Sequence, residues 1–281
     1  MDAPAGSSRR LLAAVAAIAL AATAASPAAQ GPASDGRGNA ARAYDELLDL
    51  NVRDGLVYYR ALKGQRGRLD GYISSLAGVA IDAAPRDEQI AFWLNAYNAL
   101  VLRTVIDHYP IPQRSSDYPP RSIRQIPGAF ERQSHRVGGR AVTLDQIEQT
   151  VLSGFHDPRV YFALGRGAMG GGRLRSEAYS GSRLETQLGE AAGECVSRVE
   201  CVEVDRGANQ LKVSSIFSWR ERDFVAAYAA KAATPFTERS PVERAVLAFA
   251  GPGFLAAERE LLQRNTFTLV YTPFDWSLND L

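Results

Sequence analysis

The chain has 281 residues, 46% of them hydrophobic, which is enough to bury a sizeable core in one large domain. Lysine and arginine total 32 against 31 acidic residues, so no overall field draws the protein onto nucleic acid or anionic lipid. Nucleic-acid binding is therefore not expected.

Residues 1–30 have the form of a signal peptide: Arg9-Arg10 precede the apolar run Leu11 to Ala25, and small residues follow. Cleavage is expected after Ala24 or later, within SPAAQ. Ser8-Arg9-Arg10-Leu11-Leu12 is similar in part to a twin-arginine signal, which would mean export after folding. The run is too short and too rich in alanine for a transmembrane anchor, so none is expected in the mature chain. The expected location is periplasmic or extracellular. Residues 31–40, within QGPASDGRGNA, lack an apolar period and read as a linker, with the folded domain over 41–281.

ARAYDELLDL predicts a helix, GLVYYRAL a short extended segment, and GQRGRLDGYISSLAG a second helix. Pro85 opens the strongest helical pattern, which carries acidic residues in its first turn and runs to Pro110. Residues 111–140 are broken by DYPP and VGG and read as loop; the six arginines there are expected on a solvated surface. TLDQIEQTVL predicts a helix capped by Thr143, and RVYFAL, after Asp157-Pro158, a strand. Helical patterns then cover RLETQLGEAA, ERDFVAAYAAKA, PVERAVLAFA and FLAAERELLQ, with strands at CVEV, QLKVSSIF and TFTLVY. Helices and strands do not alternate strictly. The expected fold is a single α+β domain, its helices packed on a small mixed or antiparallel sheet, rather than a doubly wound one.

Gly165-Arg166-Gly167-Ala168-Met169-Gly170 matches the dinucleotide fingerprint in form and follows a predicted strand. A dinucleotide loop must open directly into a helix whose first amides hold the pyrophosphate. Here GGRLRSEAYSGS intervenes, and the acidic residue required downstream would fall inside a helix, at Glu185 or Glu190. No Gly-Lys-Ser or Gly-Lys-Thr follows to make a P-loop, and no cofactor is expected.

Cys195 and Cys201 are the only cysteines. In an oxidising compartment they suggest a disulfide, whose short loop would stabilise by about 2 kcal/mol. Alternatively, Cys195 extends the helical series Leu184, Leu188, Ala191 as a small core residue. Two cysteines without a nearby His do not make a metal site.

Asn95 and Asn98 lie one turn apart on the helix face that carries Leu94, Leu102, Val105 and Ile106. Each is expected to pin a neighbouring loop with its buried carboxamide; the functional alternative is an oxyanion donor or a base-orienting group. Glu148 is a candidate catalytic carboxylate or a helix ion pair. Trp276 is expected as a core anchor, with Asp275 and Asn279 as turn or cap residues, while Trp219, Asp223 and Phe224 suggest helix-start packing and capping. His135 and His156 are expected on the surface.

GLVYYRAL, AFWLNAYNAL, VTLDQIEQTVL, DPRVYFAL, LRSEAY, VSSIFSWRERDF and FDWSLND occur in the order and spacing of the domain of unknown function 547 family, which the chain resembles from about Asp49 to Leu281. Members of that family look like FALVCxSxSCPPLRxEAY where this chain has FALGRGAMGGGRLRSEAY. The resemblance thus puts Arg166 and Gly171 at the two cysteine positions and Gly172-Arg173 in place of Pro-Pro. It also puts Gln149 where members carry a His. A thiolate nucleophile needs a base, so the resemblance implies a Cys and His pair in relatives, suited to a thiol hydrolase or transferase, and leaves a papain-like fold open. Both halves are replaced here. Gly170, Gly171 and Gly172 then read as the remnant of a reactive loop, with glycine filling space once held by Cys and Pro; a structural role for the cysteines of relatives is the alternative.

The function implied is binding rather than turnover, of a small molecule or an envelope protein, in a pocket lined by Gln149, Arg166, Gly170, Gly171 and Arg173. Arg166 would meet a carboxylate or phosphate there. An active hydrolase or transferase rebuilt on Glu148, Asp157 or His135 is the second class, and an envelope interaction module the third.

Overall fold

The computed structural model describes Met1 and residues 33–281, so the leader expected over 1–30 lies outside the described residues. The first helix, α1, spans Ala33–Asn51 and so takes in most of the stretch expected as linker. It buries Tyr44, Leu47, Leu48 and Asn51 at helical spacing, and Tyr44 stacks at 4.1 Å on Tyr72. Strands β1 (Val52–Arg53) and β2 (Leu56–Val57) pair antiparallel across Asp54-Gly55, both of which have positive φ, as a tight hairpin turn requires. The extended segment expected at GLVYYRAL is only these two residues of β2. Helix α2 (Tyr59–Gly64) follows at once, because Tyr59 and Leu62 bury one helical face. Helix α3 covers Arg66–Leu76.

Helix α4 (Arg86–His108) is the axis of the molecule. It is buried almost all round from Ile90 to Ile106, which is why its sequence carries few polar residues there. Helices α2 and α3 pack on it, as does the segment carrying Glu148. The Arg-rich loop that follows is tied together by buried Gln125, whose side-chain oxygen accepts from Arg114 and Ser115 amides while its nitrogen donates to the Ser115 and Tyr118 carbonyls. Strands β3 (His135–Val137) and β4 (Arg140–Val142) form a second hairpin. His135 is half-buried in it, correcting the surface position expected; His156 is exposed.

Helix α5 (Leu144–Gln146) opens on a capping box between Thr143 and Gln146, then widens into a π-helical segment, Ile147–Leu152. Pro158–Phe162 is a 3-10 turn, not the strand expected at RVYFAL. Pro158 starts it and the Asp157 side chain accepts from the Arg159 amide. Val160, Tyr161 and Phe162 are buried in succession, a pattern that does not distinguish a buried strand from a buried turn.

Helix α6 (Leu184–Val196) leads to β5 (Val202–Asp205) and β6 (Gln210–Ser214). The run QLKVSSIF is strand only to Ser214, whose hydroxyl caps helix α7 (Ser215–Trp219). Helices α8 (Glu221–Tyr228), α9 (Pro241–Ala250) and α10 (Ala256–Gln263) precede β7 (Thr268–Thr272). The largest sheet has the order β5-β6-β7, antiparallel then parallel, so the fold is a single α+β domain with a small mixed sheet. Phe162, Phe217, Phe224 and Phe249 join the turn at 158–162 to α7, α8 and α9. The chain end returns to its start: the Asn279 side chain accepts from Tyr59 Oη at 2.8 Å and donates to the Gly55 carbonyl at 2.8 Å.

Cys195 and Cys201 are disulfide-bonded, with Cα atoms 5.2 Å apart, and both are buried. The two readings of Cys195 are thus compatible, since it is bonded and also part of the core. No helix among the described residues is long and apolar enough to cross a membrane.

Candidate functional site

The loop after Phe162 is positioned by α4. Asn98 donates its side-chain nitrogen to the Ala163 carbonyl at 3.0 Å, and its oxygen accepts from the Gly165 amide at 3.0 Å. One turn earlier, Asn95 clasps Tyr179 in the same two-point manner, at 2.8 Å each way. Both carboxamides therefore satisfy buried backbone, and neither borders the pocket described below.

Beyond the Asn98 clasp the chain turns sharply. Arg166 and Gly167 both have positive φ, and Gly167 sits so close to Val101 of α4 that a Cβ would lie 3.2 Å from its methyl group. The turn sends the Arg166 side chain inward, where it is 2% exposed. Its guanidinium donates to Glu148 Oε1 at 2.7 Å and to the Tyr161 carbonyl at 2.9 Å. Arg220 reaches the same carboxylate oxygen at 2.6 Å, and Tyr97 Oη donates to the other at 3.3 Å. Burial alone would raise the Glu148 carboxyl, but the two guanidinium groups outweigh it and hold the group below its usual range. Glu148 is thus an ion-paired anion rather than a poised base. Arg166, with its donors committed inside the protein, is not the free cation expected to meet a ligand anion.

Glu148 and Arg166 form the floor of a cavity of about 340 Å³. Exposed Gln149 borders the same cavity, so Gln149 and Arg166 face one space. Its walls are aromatic: Phe130, Trp219 and Trp276, with Arg124, Arg220 and Asp145 between them. Trp219 is 45% exposed and Trp276 half-buried, with ring centroids 6.2 Å apart; Trp276 packs against the core as expected, and both also form a pocket wall. The Asp145 carboxyl is raised by burial and by the neighbouring Glu131 and Glu148.

Gly170, Gly171 and Arg173 do not join Gln149 and Arg166. They line separate clefts, one of them against the Cys195–Cys201 bond. Nor do the glycines fill vacated space. A Cβ on Gly171 would lie 2.5 Å from the Gly165 carbonyl oxygen, and one on Gly170 2.7 Å from the Asp275 nitrogen; at Gly172 it would overlap the Phe162 carbonyl. The run is glycine because backbone packs directly on backbone, and a cysteine at 171 would require the loop to shift. A larger open cleft of about 680 Å³ lies beside Arg173, but Arg175 and Arg183 on its wall are already paired with Glu177.

The remaining candidates lie elsewhere. Asp157 is paired with Arg159, which also holds Glu185. His135 is lowered by burial and by the Arg103 charge, and borders none of these pockets. Among the described residues no group of three or more His, Cys, Asp or Glu side chains could hold a metal ion.

Arg124, Phe130, Asp145 and Arg220 were not singled out from sequence as site residues. The signal available was slight: Trp219 next to Arg220, and Trp276 next to Asp275, each placing an indole beside a charge. Only the fold brings residues 124, 148, 219 and 276 together.

Residues 81–196 match the model of a family described as "Protein of unknown function, DUF547". The matched stretch holds α4, Glu148, Gln149 and the Arg166 loop, while Trp219, Arg220 and Trp276 lie beyond it. No curated protein and no solved structure matches the chain.

Proposed function

We propose that this chain, whose residues 81–196 match the DUF547 family model, is an exported binding protein whose pocket once served thiol chemistry. One observation carries the proposal. Arg166 and Gln149, which the resemblance puts at a cysteine and a His of relatives, border one cavity, and neither can act as a nucleophile or a base. The nearest carboxylate, Glu148, is held as an anion by Arg166 and Arg220. What remains is a shaped pocket with aromatic walls and no reactive group at the former pair. Gly171 stands apart from it, so only the first cysteine position enters the proposal. Export, to the periplasm or the exterior, is supported by the charged-then-apolar pattern of residues 9–25 and by the Cys195–Cys201 bond, which persists in oxidising compartments.

A second candidate, an active hydrolase or transferase, rests on Asp145. Its raised carboxyl borders the pocket, as a general acid would. One assay separates the two. Purified protein is offered ester, thioester and amide model substrates, alongside D145N and Q149A variants. The binding proposal expects no turnover above the buffer rate in any of the three proteins. Turnover that is lost in D145N establishes the enzyme instead.

A further inference from the structure

The geometry points to a ligand class for the pocket beside Gln149: a small organic acid with a flat apolar body, its carboxylate between Arg124 and Arg220 and its body against Trp219 and Trp276. The inference rests on the proposal that this pocket binds rather than turns over. A cavity of about 340 Å³ suits a small molecule.

The donor inventory favours an anion. Three guanidinium groups (Arg124, Arg166 and Arg220) border the cavity against two carboxylates (Asp145 and Glu148), and Glu131 beyond the lining pairs with Arg124, so the charges balance and it is the guanidinium donors still open that favour an anion. Arg166 is spent on Glu148 and on backbone carbonyls. The other two are not. Arg124 uses one terminal nitrogen for Glu131 and Arg220 one for Glu148, and the second terminal nitrogen of each makes no hydrogen bond among the described residues, while the Nε of each is buried. Planar guanidinium groups with unspent donors are matched to a carboxylate. Asp145 lines the same cavity without an ion pair among the described residues, and in its protonated form it can donate to the same anion.

The walls favour a flat body. Trp219 leaves an indole face open to solvent and lies 23° from coplanar with Trp276. Trp276 is fixed from behind by Phe130 at 5.8 Å and Phe274 at 4.4 Å, while the Arg124 guanidinium lies 4.5 Å from both the Phe130 and Trp276 rings. The aromatic wall is thus preorganised, and the cation is pinned where it meets the ligand's polar end. A cationic ligand has no acceptor to offer these guanidinium donors, and a neutral one forgoes the charge-assisted hydrogen bonds.

The test is calorimetric titration of the purified protein with 3-phenylpropanoate, its uncharged amide, and 3-phenylpropylamine. The acid is expected to bind, the amide at least about tenfold more weakly, and the amine not at all, in line with the loss of charge-assisted hydrogen bonds. W219A and R124Q, which alter an exposed indole and a partly buried cation, are each expected to weaken the acid at least about tenfold while retaining the native circular dichroism spectrum. Equal binding of acid and amide, no binding of any probe, or acid binding unchanged in both variants overturns the ligand class. If the amide or the amine binds and W219A abolishes it, the class is wrong while the pocket's binding role stands. If wild-type protein converts the acid or amide chemically, the binding role fails and the recognition chemistry stands.

Discussion

Arg166 and Glu148 are joined at 2.7 Å by side chains that are each at least nine-tenths buried, and Arg220 closes the same carboxylate from the pocket side. The pair sits at the base of the cavity that Gln149 borders, so its chemistry decides what the pocket can do. A buried carboxylate with two guanidinium partners stays ionised, takes up no proton near neutral pH, and fixes the floor in one geometry.

Breaking that pair from one side leaves an uncompensated buried charge. E148L is therefore expected to cost about 3–5 kcal/mol in urea unfolding, since Arg166 would keep its charge without a partner. The double variant E148L/R166M should recover much of that loss, because the buried cation goes with the anion. If the two single changes simply add in the double, the pair is not coupled as described.

The Asn98 clasp makes a separate claim. N98A removes two hydrogen bonds and leaves the Gly165 amide and the Ala163 carbonyl unpaired in the interior, an expected loss on the order of 2–4 kcal/mol. Because the clasp sets the start of the Arg166 turn, hydrogen exchange of the 163–167 amides should accelerate before that of α4. Uniform acceleration across both would contradict a positioning role.

Asp145 gives the pH dependence its sign. Its folded carboxyl is raised above the unfolded value, by burial first and by Glu131 and Glu148 next. The folded state therefore binds this proton more tightly, and the group lowers stability once the pH has risen through its folded pKa. D145N is expected to raise the midpoint of thermal unfolding at pH 7, with the gain shrinking as the pH falls below the unfolded carboxyl value of about 3.9. A gain that instead grows towards acid pH would contradict this placement of Asp145.

The Cys195–Cys201 bond ties the end of α6 to the start of β5. Its removal in C195A/C201A is expected to cost about 2 kcal/mol from the short loop alone. The thermal midpoint of wild-type protein should fall correspondingly in reducing buffer while that of the variant stays fixed. A midpoint insensitive to reductant would mean that the bond adds nothing.

The long elements were legible because one physical signal dominated each. Pro85, the acidic first turn and an unbroken apolar run define α4, and Thr143 with Gln146 defines the start of α5. RVYFAL misled because consecutive burial erases the period that separates strand from helix, leaving Asp157-Pro158 as the better clue to a turn. The pocket was half legible. Gln149 and Arg166 were singled out from the resemblance, yet sequence could not show that Glu148 consumes Arg166, because two residues eighteen positions apart reveal neither burial nor direction. The aromatic wall was not legible, because a Trp that packs on the core with one part can line a pocket with another. The glycine run was misread because a missing Cβ leaves the same sequence trace whether it opens space or admits another backbone.

The measurement that bears most directly on a lost thiol site is the pH dependence of alkylation of the introduced thiol by iodoacetamide, compared between R166C and R166C/Q149H. Cys195 and Cys201, being bonded, stay silent. Arg220 remains to compensate Glu148 in both variants. If positions 166 and 149 once held a thiol and its base, the double variant should titrate at least about one pH unit below R166C alone, through thiolate–imidazolium pairing. Identical titration curves, both near the free-thiol value of about 8.5, would contradict the account.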